Sequence, residues 1–357
     1  MEIFTTNKKI NVLIVDDSSF VQQMLKIALE TDPEIGVVGL ANNGKEAIEL
    51  VERLKPNIVT MDVQMPEMDG LEATKQIMIH NPCPILVITS LNPQELLINS
   101  FDLIGAGAMD IIEKPYKDKD VIHKIKLLSE VKVVSRRLLH NRRNKHLTEG
   151  KSNNKEIKIL TKCIDTARMI KYPKIIGIAA STGGPHALLD LLSGLPVNFP
   201  VPILIVQHMT DGFMGGFVNW LGGYCQLKIQ EAKWGEIVNP GCVYLAPSRS
   251  HMLLGSNHSI ILDRSEPLNS HRPSADLLLE SIAQHAGKNS IGIILTGMGE
   301  DGIKGMAAIR KQGGYTIAQD EASCVIFGMP RAAIAKGIVD YIEPISLMSR
   351  RLVELWG

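Results

Sequence analysis

The chain has 357 residues, enough for about two domains with hydrophobic cores of their own. Basic and acidic residues balance at 38 each, so no net charge favours a nucleic acid or a membrane surface as partner. There is no apolar run of membrane-spanning length and no signal-peptide pattern, and the five cysteines are odd in number and widely spaced. These features predict a cytoplasmic α/β protein with reduced thiols, no nucleic-acid partner and no membrane insertion.

The predicted first domain, residues 1–130, alternates apolar runs with amphipathic helical patterns. The runs are residues 10–15, 35–40, 57–61, 84–88 and 108–112. Such alternation is typical of a five-stranded, doubly wound parallel sheet. Ligands of these sheets bind beyond the carboxyl ends of the strands. Those ends carry Asp16 and Asp17, Asp62, Thr89 and Ser90, and Lys114.

This collection of polar residues predicts a phosphoryl site. Any one of them could be a helix cap or a solvated side chain, but all of them follow strands of one sheet. Crowded carboxylates repel one another unless a cation joins them, and oxygen ligands favour Mg²⁺. A lysine could balance an incoming phosphoryl group and a hydroxyl could donate to it. Asp62 is the best candidate nucleophile, because carboxylates form aspartyl-phosphates.

The motifs VDDS, MDVQMPEMDG, ITS and EKP resemble the receiver domain of two-component response regulators over its whole length. The resemblance implies phosphorylation at Asp62. The implied contacts are Asp17, Asp62 and the Gln64 carbonyl for Mg²⁺, and Thr89 and Lys114 for the phosphoryl group. Lys114–Pro115 is a candidate cis peptide bond. Ile111 stands where receivers commonly carry a switch aromatic, which departs from the family pattern.

Residues 131–172 form a predicted linker. Arginine, lysine, asparagine and histidine dominate it, and polar residues and Gly150 interrupt its helical periodicity. This composition favours a solvated helix end followed by a flexible tether. A basic arm for nucleic acid is the weaker interpretation, because no aromatic residues are interleaved.

The predicted second domain, residues 173–357, is another doubly wound α/β domain with a mostly parallel sheet. Its strand-like runs are residues 174–180, 202–207, 242–246, 259–263, 291–296 and 314–318. Helical patterns separate most of them. Residues 226–266 contain short runs and turns instead, which predicts antiparallel strands at one edge.

The run before Ser181 is apolar and ends in a tight turn. Gly183, Gly184 and Pro185 follow it, and a helical pattern begins directly after them. A serine on such a turn lies close to backbone N–H groups that can bind an anion. The turn alone therefore fits a nucleophilic serine and a phosphate-binding loop equally well.

Two other strand-like runs end in complementary chemistry. PILIVQ leads to His208, and GIILTGMGE leads to Asp301. If the three strands are parallel neighbours, hydroxyl, imidazole and carboxylate can converge as in a hydrolytic triad. Asp301 could instead cap the following helix, and Glu300 is a rival carboxylate. The chain order and the absence of Gly-x-Ser-x-Gly exclude a standard α/β-hydrolase pattern.

Six motifs extend a family resemblance across the second domain. They are IAASTGGPHAL, QHM, GCVYLAPSRSHM, SHRPSAD, LTGMGEDGIKG and AQDEASCVIFGMPRAAI. They resemble the chemotaxis protein-glutamate methylesterase (CheB) family. The resemblance implies a triad of Ser181, His208 and Asp301, with the Met298 backbone N–H in the oxyanion hole. Glu300 and the segment FMGGFVNWL, which lacks the arginine often found after QHM, depart from the family pattern.

The resemblance also implies a reaction and partners. The substrates are glutamate methyl esters on methyl-accepting chemotaxis receptors, methanol is released, and some members deamidate receptor glutamines. A chemotaxis histidine kinase is the implied phosphodonor. Ester hydrolysis needs no cofactor, and the unphosphorylated receiver covers the catalytic face.

Two other classes of function stay open on the residues themselves. The second domain could be a non-catalytic docking module whose binding depends on phosphorylation. Ser181–Gly184 could also cradle a phosphate or nucleotide, although no Gly-x-Gly-x-x-Gly or Walker pattern supports this. Methanol release from methylated receptor membranes separates the esterase from both.

Overall fold

The computed structural model describes residues 9–90, 96–131, 133 and 174–355, and for residues 90 and 96–100 it describes the backbone alone. The predicted linker therefore lies outside the described residues, apart from Val131 and Val133. Within the described residues no helix is both long and apolar enough to cross a membrane.

The first domain is a five-stranded parallel sheet with helices on both faces. Its strands are β1 (Ile10–Val15), β2 (Ile35–Ala41), β3 (Ile58–Met61), β4 (Ile85–Ser90) and β5 (Asp110–Lys114). Its helices are α1 (Ser19–Glu30), α2 (Gly44–Leu54), α3 (Gly70–His80), α4 (Leu96–Ala106) and α5 (Asp118–Ser129). The spatial order is β2-β1-β3-β4-β5, and all neighbours are parallel. The doubly wound prediction is confirmed.

Side-chain caps fix where the first three helices of this domain begin. Ser18, Asn43 and Asp69 each accept a hydrogen bond from a backbone N–H in the first turn of α1, α2 and α3. Each cap satisfies a backbone N–H of the first turn and so sets the residue at which its helix begins. In the first loop, Ser18 caps α1 three residues after β1 ends, so Asp16 and Asp17 stay at the sheet edge.

The second domain is built on a seven-stranded sheet in which every pair of neighbours is parallel. Its order is β14-β13-β12-β6-β7-β9-β8. The strands are β6 (Ile175–Ala180), β7 (Ile203–Gln207), β8 (Lys228–Glu231), β9 (Cys242–Leu245), β12 (Ser290–Ile294), β13 (Tyr315–Gln319) and β14 (Tyr341–Glu343). The helices are α6 (Gly184–Ser193), α7 (Met214–Tyr224), α8 (Ala275–Ala286), α9 (Ile303–Lys311), α10 (Met329–Ala335) and α11 (Ile345–Glu354).

The prediction for residues 226–266 is partly wrong. β8 and β9 belong to the main sheet and run parallel to each other. Only β10 (His251–Leu254) and β11 (Ile260–Asp263) are antiparallel, and they form a separate two-stranded sheet. Short strands between turns carry no periodic signal that separates a parallel edge pair from a hairpin.

The strand order places the three predicted catalytic strands side by side. β6 lies between β7 and β12, and all of its residues are buried. The chain leaves β6 toward β7 on one side and later returns to β12 on the other. This is a topological switch point, the place where open α/β sheets bind their ligands.

The two domains meet through aromatic side chains. Phe101 of α4 packs against Phe213, Phe217 and Trp220, with ring centroids 6.1, 5.3 and 5.9 Å away. Phe213 precedes α7, and the other two rings lie on it. All four side chains are buried, so the segment FMGGFVNWL packs against the first domain.

Candidate active site

The acidic residues of the first domain do converge. Asp16, Asp17 and Asp62 offer oxygen atoms that lie within 4.8 Å of one another. Lys114 Nζ donates to Asp16 at 2.5 Å and to Asp62 at 3.1 Å. The predicted magnesium ligands included Asp17 and Asp62, and the structure adds Asp16, which also holds the lysine.

The donor set of this cluster fits a hard divalent cation, because all its ligands are carboxylate oxygens. Burial raises the pKa of Asp62, the Lys114 charge opposes this rise, and the Asp16 charge adds to it. A bound cation would relieve the repulsion between the carboxylates. Thr89 lies buried at the end of β4, and Gln64 is exposed on the loop after β3. The Lys114–Pro115 peptide bond is cis, as predicted.

Ser181 follows β6 on the predicted strand-to-helix turn. Gly183 has φ +77°, a left-handed conformation that favours glycine, and a Cβ there would lie 2.5 Å from Val325 Cβ. Gln207 Nε2 donates to the Ser181 carbonyl at 2.9 Å and ties the turn to β7. The serine is therefore fixed by close packing around its backbone.

His208 and Asp301 are in direct contact. The carboxylate accepts a hydrogen bond from His208 Nε2 at 2.9 Å. His208 also donates its backbone N–H to the Ala180 carbonyl, which places it beside Ser181. Its Nδ1 is buried and has no hydrogen-bond partner within the described part of the chain. With Nε2 engaged by Asp301, Nδ1 is the ring nitrogen left to accept a proton.

Asp301 is held by more than the histidine. Its carboxylate accepts hydrogen bonds from Ser274 Oγ at 2.8 Å, Ala275 N at 2.7 Å and Asp276 N at 3.0 Å. Burial by itself raises the pKa of Asp301, but the hydrogen bonds and the His208 charge outweigh it and lower the pKa to about 2. The carboxylate is therefore an ionised acceptor at the N-terminus of α8.

Glu300, the rival carboxylate, points elsewhere. It is exposed and forms an ion pair with Lys336 at 2.9 Å. The turn after β12 thus separates two adjacent acids, with Asp301 buried against His208 and Glu300 on the surface. Position along the chain could not distinguish them, since they are adjacent, and only the family resemblance favoured Asp301.

Met298 lies on the loop that follows β12. A Cβ at Gly297 would come within 2.6 Å of Ser181 Cβ, so the two backbones approach closely there. The Met298 side chain is exposed, and its Sδ lies 2.8 Å from His123 Nε2 of the receiver helix α5. The predicted oxyanion residue therefore lies beside Ser181 and against the other domain.

A buried polar network that the sequence reasoning missed supports these loops. Thr296 Oγ1 donates to the Thr182 carbonyl at 3.0 Å and accepts from Ile326 N at 2.9 Å. Gln319 Oε1 accepts from Thr296 N at 2.8 Å. These residues lie at strand ends within quoted motifs, but a Thr or Gln there has no chemistry of its own to single it out.

The receiver covers the His208 side of the site. Ile111 and His208 line one small cavity between the domains. Val325 and Ile326, on the loop held by Thr296, pack against the receiver core together with Tyr116. Ile111, where receivers commonly carry an aromatic, is thus buried beside the candidate catalytic histidine.

Comparisons with known proteins agree with this division. The CheB methylesterase family matches residues 176–352, and the response regulator receiver domain family matches residues 12–126. A protein-glutamate methylesterase/protein-glutamine glutaminase of Thiobacillus denitrificans is 39% identical, and the match covers 98% of this chain and 97% of that protein. A protein of the same name from Methanococcus maripaludis is 40% identical, with 95% and 96% covered.

One solved structure covers the second domain. The crystal structure of the Thermotoga maritima CheB methylesterase catalytic domain is 42% identical and has a TM-score of 0.50. It covers 51% of this chain, and the match includes 98% of that domain. With relatives matched over nearly their full length, the chain belongs to the family of protein-glutamate methylesterases/protein-glutamine glutaminases and carries their receiver domain at its N-terminal end.

Proposed function

We propose that the chain is a phosphorylation-activated hydrolase that removes methyl groups from glutamate esters on chemotaxis receptors. The observation that carries the proposal is the 2.9 Å contact of His208 with Asp301. These residues follow β7 and β12, the two strands that flank β6, and Ser181 follows β6. The doubly named relatives support a second reaction of the same site, deamidation of receptor glutamines.

In the proposed mechanism Ser181 Oγ attacks the ester carbonyl and His208 Nδ1 takes its proton. Asp301 holds the ring by Nε2, so that Nδ1 keeps its lone pair for the serine. Because the Asp301 pKa is about 2, the carboxylate stays ionised and stabilises the imidazolium as it forms. In this arrangement Nε2 donates a hydrogen bond to Asp301, and Nδ1 accepts the proton of Ser181.

The carbonyl oxygen gains negative charge during the attack. The backbone N–H of Met298, on the loop packed against Ser181, is the proposed donor to that oxygen. The imidazolium then protonates the leaving methoxide, and methanol departs. His208 next takes a proton from the water that attacks the acyl-enzyme, and it returns this proton to Ser181 Oγ as free glutamate is released.

In the receiver, Asp62 is the proposed phosphoryl acceptor and a chemotaxis histidine kinase the donor. Asp17, Asp62 and the Gln64 carbonyl would hold Mg²⁺, with Asp16 close by. Bound there, Mg²⁺ would supply charge neutralisation for phosphoryl transfer. Lys114 contacts both Asp16 and Asp62, and we assign it and Thr89 to binding the phosphoryl oxygens.

Phosphorylation is proposed to uncover the esterase site. Three contacts support this: Phe101 against α7, His123 against Met298, and Ile111 beside His208. A long receptor helix needs access to that face. We place the enzyme in the cytoplasm, with receptors and kinase as its partners and no cofactor in the ester hydrolysis itself.

Ser181→Ala tests the proposal directly. Methanol release from methylated receptor membranes should fall by about 10³-fold or more, because the other triad members cannot replace the nucleophile. Glu300→Ala is the matched control, since it removes an exposed acid beside Asp301. If Ser181→Ala kept near-normal methanol release, the serine assignment would be wrong, and a docking module or phosphate cradle would be favoured.

A further inference from the structure

A second histidine, His271, lies flat against the imidazole of His208. The two ring centroids are 4.3 Å apart and the ring planes differ by 7°. His271 belongs to the SHRPSAD motif, yet neither the triad nor the oxyanion site uses it. Asp301 holds the edge of the His208 ring at Nε2, and His271 covers one face of the same ring.

The backbone around His271 is constrained independently of His208. Leu268 and His271 exchange two backbone hydrogen bonds, at 3.1 and 2.9 Å, around a tight turn. Both central residues, Asn269 and Ser270, have positive φ values of 49° and 68°. Downstream, Ser274 and Ala275 donate to Asp301. One segment therefore positions both the stacking ring and the carboxylate.

The surroundings of His271 favour an uncharged ring. Burial lowers the pKa of His271, the His208 charge lowers it further, and the Asp301 charge opposes both. The other charged groups lining the cavity that His271 shares with Asp301 are Asp276, Glu300, Lys304 and Lys336. Glu300 and Lys336 pair with each other, and Asp276 accepts from the Gly302 and Gly305 backbone. The neighbouring Arg272 donates to the Arg264 and Ser265 carbonyls.

We infer that His271 is a positioning residue, whose ring fixes the plane of the His208 imidazole so that Nε2 meets Asp301 while Nδ1 faces Ser181. The inference rests on the proposed triad. Its structural reason is that Nδ1 has no hydrogen-bond partner within the described residues, so Asp301 supplies the hydrogen bond of the ring and His271 its stacking contact. Without the stacked His271 ring, the imidazole would be free to tilt about its one hydrogen bond to Asp301.

The stack also has a role in the proton transfer. When His208 takes the serine proton it becomes a cation, and a neutral aromatic face against it is stabilising. A protonated His271 would place a second positive charge at the same distance and oppose that step. Stacking therefore assists the reaction only while His271 is uncharged.

The test uses the full-length protein with a phosphodonor and Mg²⁺, and follows methanol release from methylated receptor membranes. His271→Ala should lower kcat by about tenfold with little change in KM, because ring orientation matters in the transition state. His271→Phe keeps an aromatic face and should recover most of that loss. His285→Ala, on α8 and also half-buried, is the matched control and should behave as the wild type.

The pH profile separates positioning from a merely structural role. In the wild type, protonation of His271 should add its own loss of kcat to the loss caused by protonation of the general base, so log kcat against pH should steepen beyond a slope of one as the medium becomes acidic. In His271→Phe this second ionisable ring is absent, and the slope should stay near one. A residue that only stabilised the fold would leave the slope unchanged.

Each outcome of the test has a distinct meaning. Ser181→Ala is measured alongside, and if it retains activity the proposed triad fails, whatever the His271 variants do. If Ser181→Ala is inactive while His271→Ala keeps wild-type kcat and acid slope, only the inference about His271 fails. That inference also fails if the loss in His271→Ala tracks its fraction unfolded by circular dichroism, or if His271→Phe keeps the steep limb.

Discussion

At the scale of single residues, Asp301 combines an orienting role with a structural one. Replacement by Asn should lower kcat by about 10⁴-fold, because the amide can hold His208 in the wrong tautomer. The free energy of unfolding should fall only modestly, since the amide oxygen can still accept a hydrogen bond from the Ala275 or Asp276 backbone N–H. Methanol release and circular dichroism measure the two effects. Glu300→Gln, the neighbouring acid made neutral in the same way, should keep most activity, and equal losses in both variants would refute the assignment of Asp301.

The lowered pKa of Asp301 also predicts how stability depends on pH. A carboxyl with a pKa of about 2 in the folded protein, below its value in the unfolded chain, adds stability that is complete above the unfolded pKa of about 3.9 and lost as pH falls toward 2. The stability advantage of wild type over Asp301→Asn should therefore still be present at pH 5 and shrink below pH 4. Urea denaturation of both proteins across this range measures it. An advantage that shrank near pH 6 would contradict the assigned pKa.

The pKa of Asp62 is shifted in the opposite direction from that of Asp301, so its effect on stability is also opposite. Its pKa is raised, so its charged form costs stability at neutral pH, and without Mg²⁺ the Asp62→Asn variant should unfold at or above the wild-type temperature. Mg²⁺ should raise the unfolding temperature of the wild type more than that of the variant.

The Asp62→Asn variant should also lose acceptance of labelled phosphate and Mg²⁺-dependent stimulation of the esterase. Label recovered on it would move the phosphorylation site elsewhere, with Asp17 the first candidate.

Residue types with reactive side chains could be predicted from sequence, and supporting ones could not. Ser181 and His208 directly follow strand-like runs, Asp301 lies in the turn after another, and each carries a reactive side chain. His271 and Gln207 have ordinary local patterns, and their contacts join segments far apart in the chain. Only the folded sheet brings them to the site, so no local signal could reveal them.

At the scale of elements, α9 depends on an acid from another helix. Gly302 precedes α9 and has no side chain to cap it, and Asp276 of α8 accepts from the Gly302 and Gly305 N–H groups at 2.9 and 3.1 Å. Asp276→Ala leaves these buried donors unpaired and should lower the free energy of unfolding by about 2 kcal/mol. It should also reduce activity, since Asp301 lies directly before Gly302.

Asp276→Asn is the control for that change. Burial raises the pKa of Asp276, the Gly305 hydrogen bond opposes the rise, and the Asp301 charge adds to it. Its charged form therefore costs stability at neutral pH. An amide oxygen can accept both N–H groups without that cost, so Asp276→Asn should be at least as stable as wild type at pH 7. Denaturant titration measures both variants, and equal losses in Ala and Asn would refute the capping role.

The elements themselves are predictable where periodicity is strong. Long apolar runs such as Ile175–Ala180 become buried central strands, because only a strand covered on both faces tolerates such a run. The sequence does not predict the short strands β8, β10 and β14 as separate elements. They have 3 or 4 residues each, and β8 (KIQE) and β14 (YIE) are also too polar to stand out as the equally short apolar strands β3 and β9 do.

At the scale of the whole molecule, the contact between the domains is the candidate restraint. Phe101 is buried among Phe213, Phe217 and Trp220, and truncating a buried aromatic costs roughly 3–5 kcal/mol. Phe101→Ala should therefore weaken the covered state and raise methanol release by the unphosphorylated protein. Phe20→Ala, an exposed receiver phenylalanine on α1, is the matched control and should leave the rate unchanged. Equal rates for Phe101→Ala and wild type would argue against this contact as the restraint.

The receiver as a whole should restrain the esterase until Asp62 is phosphorylated. A covered state populated at roughly 99% needs about 2.7 kcal/mol of bias to reach equal populations, within the range of a new charge-assisted network at Asp62 and Lys114. Ile111 stands where an aromatic is usual and lines a cavity with His208. The structural change caused by phosphorylation of Asp62 should therefore reach the esterase site through Thr89 and backbone shifts of β5. A fragment beginning near Ile157 should hydrolyse receptor esters faster than the unphosphorylated full-length protein. Phosphodonor and Mg²⁺ should raise the full-length rate and leave the fragment unchanged, whereas equal rates for fragment and unphosphorylated protein would rule out restraint by the receiver.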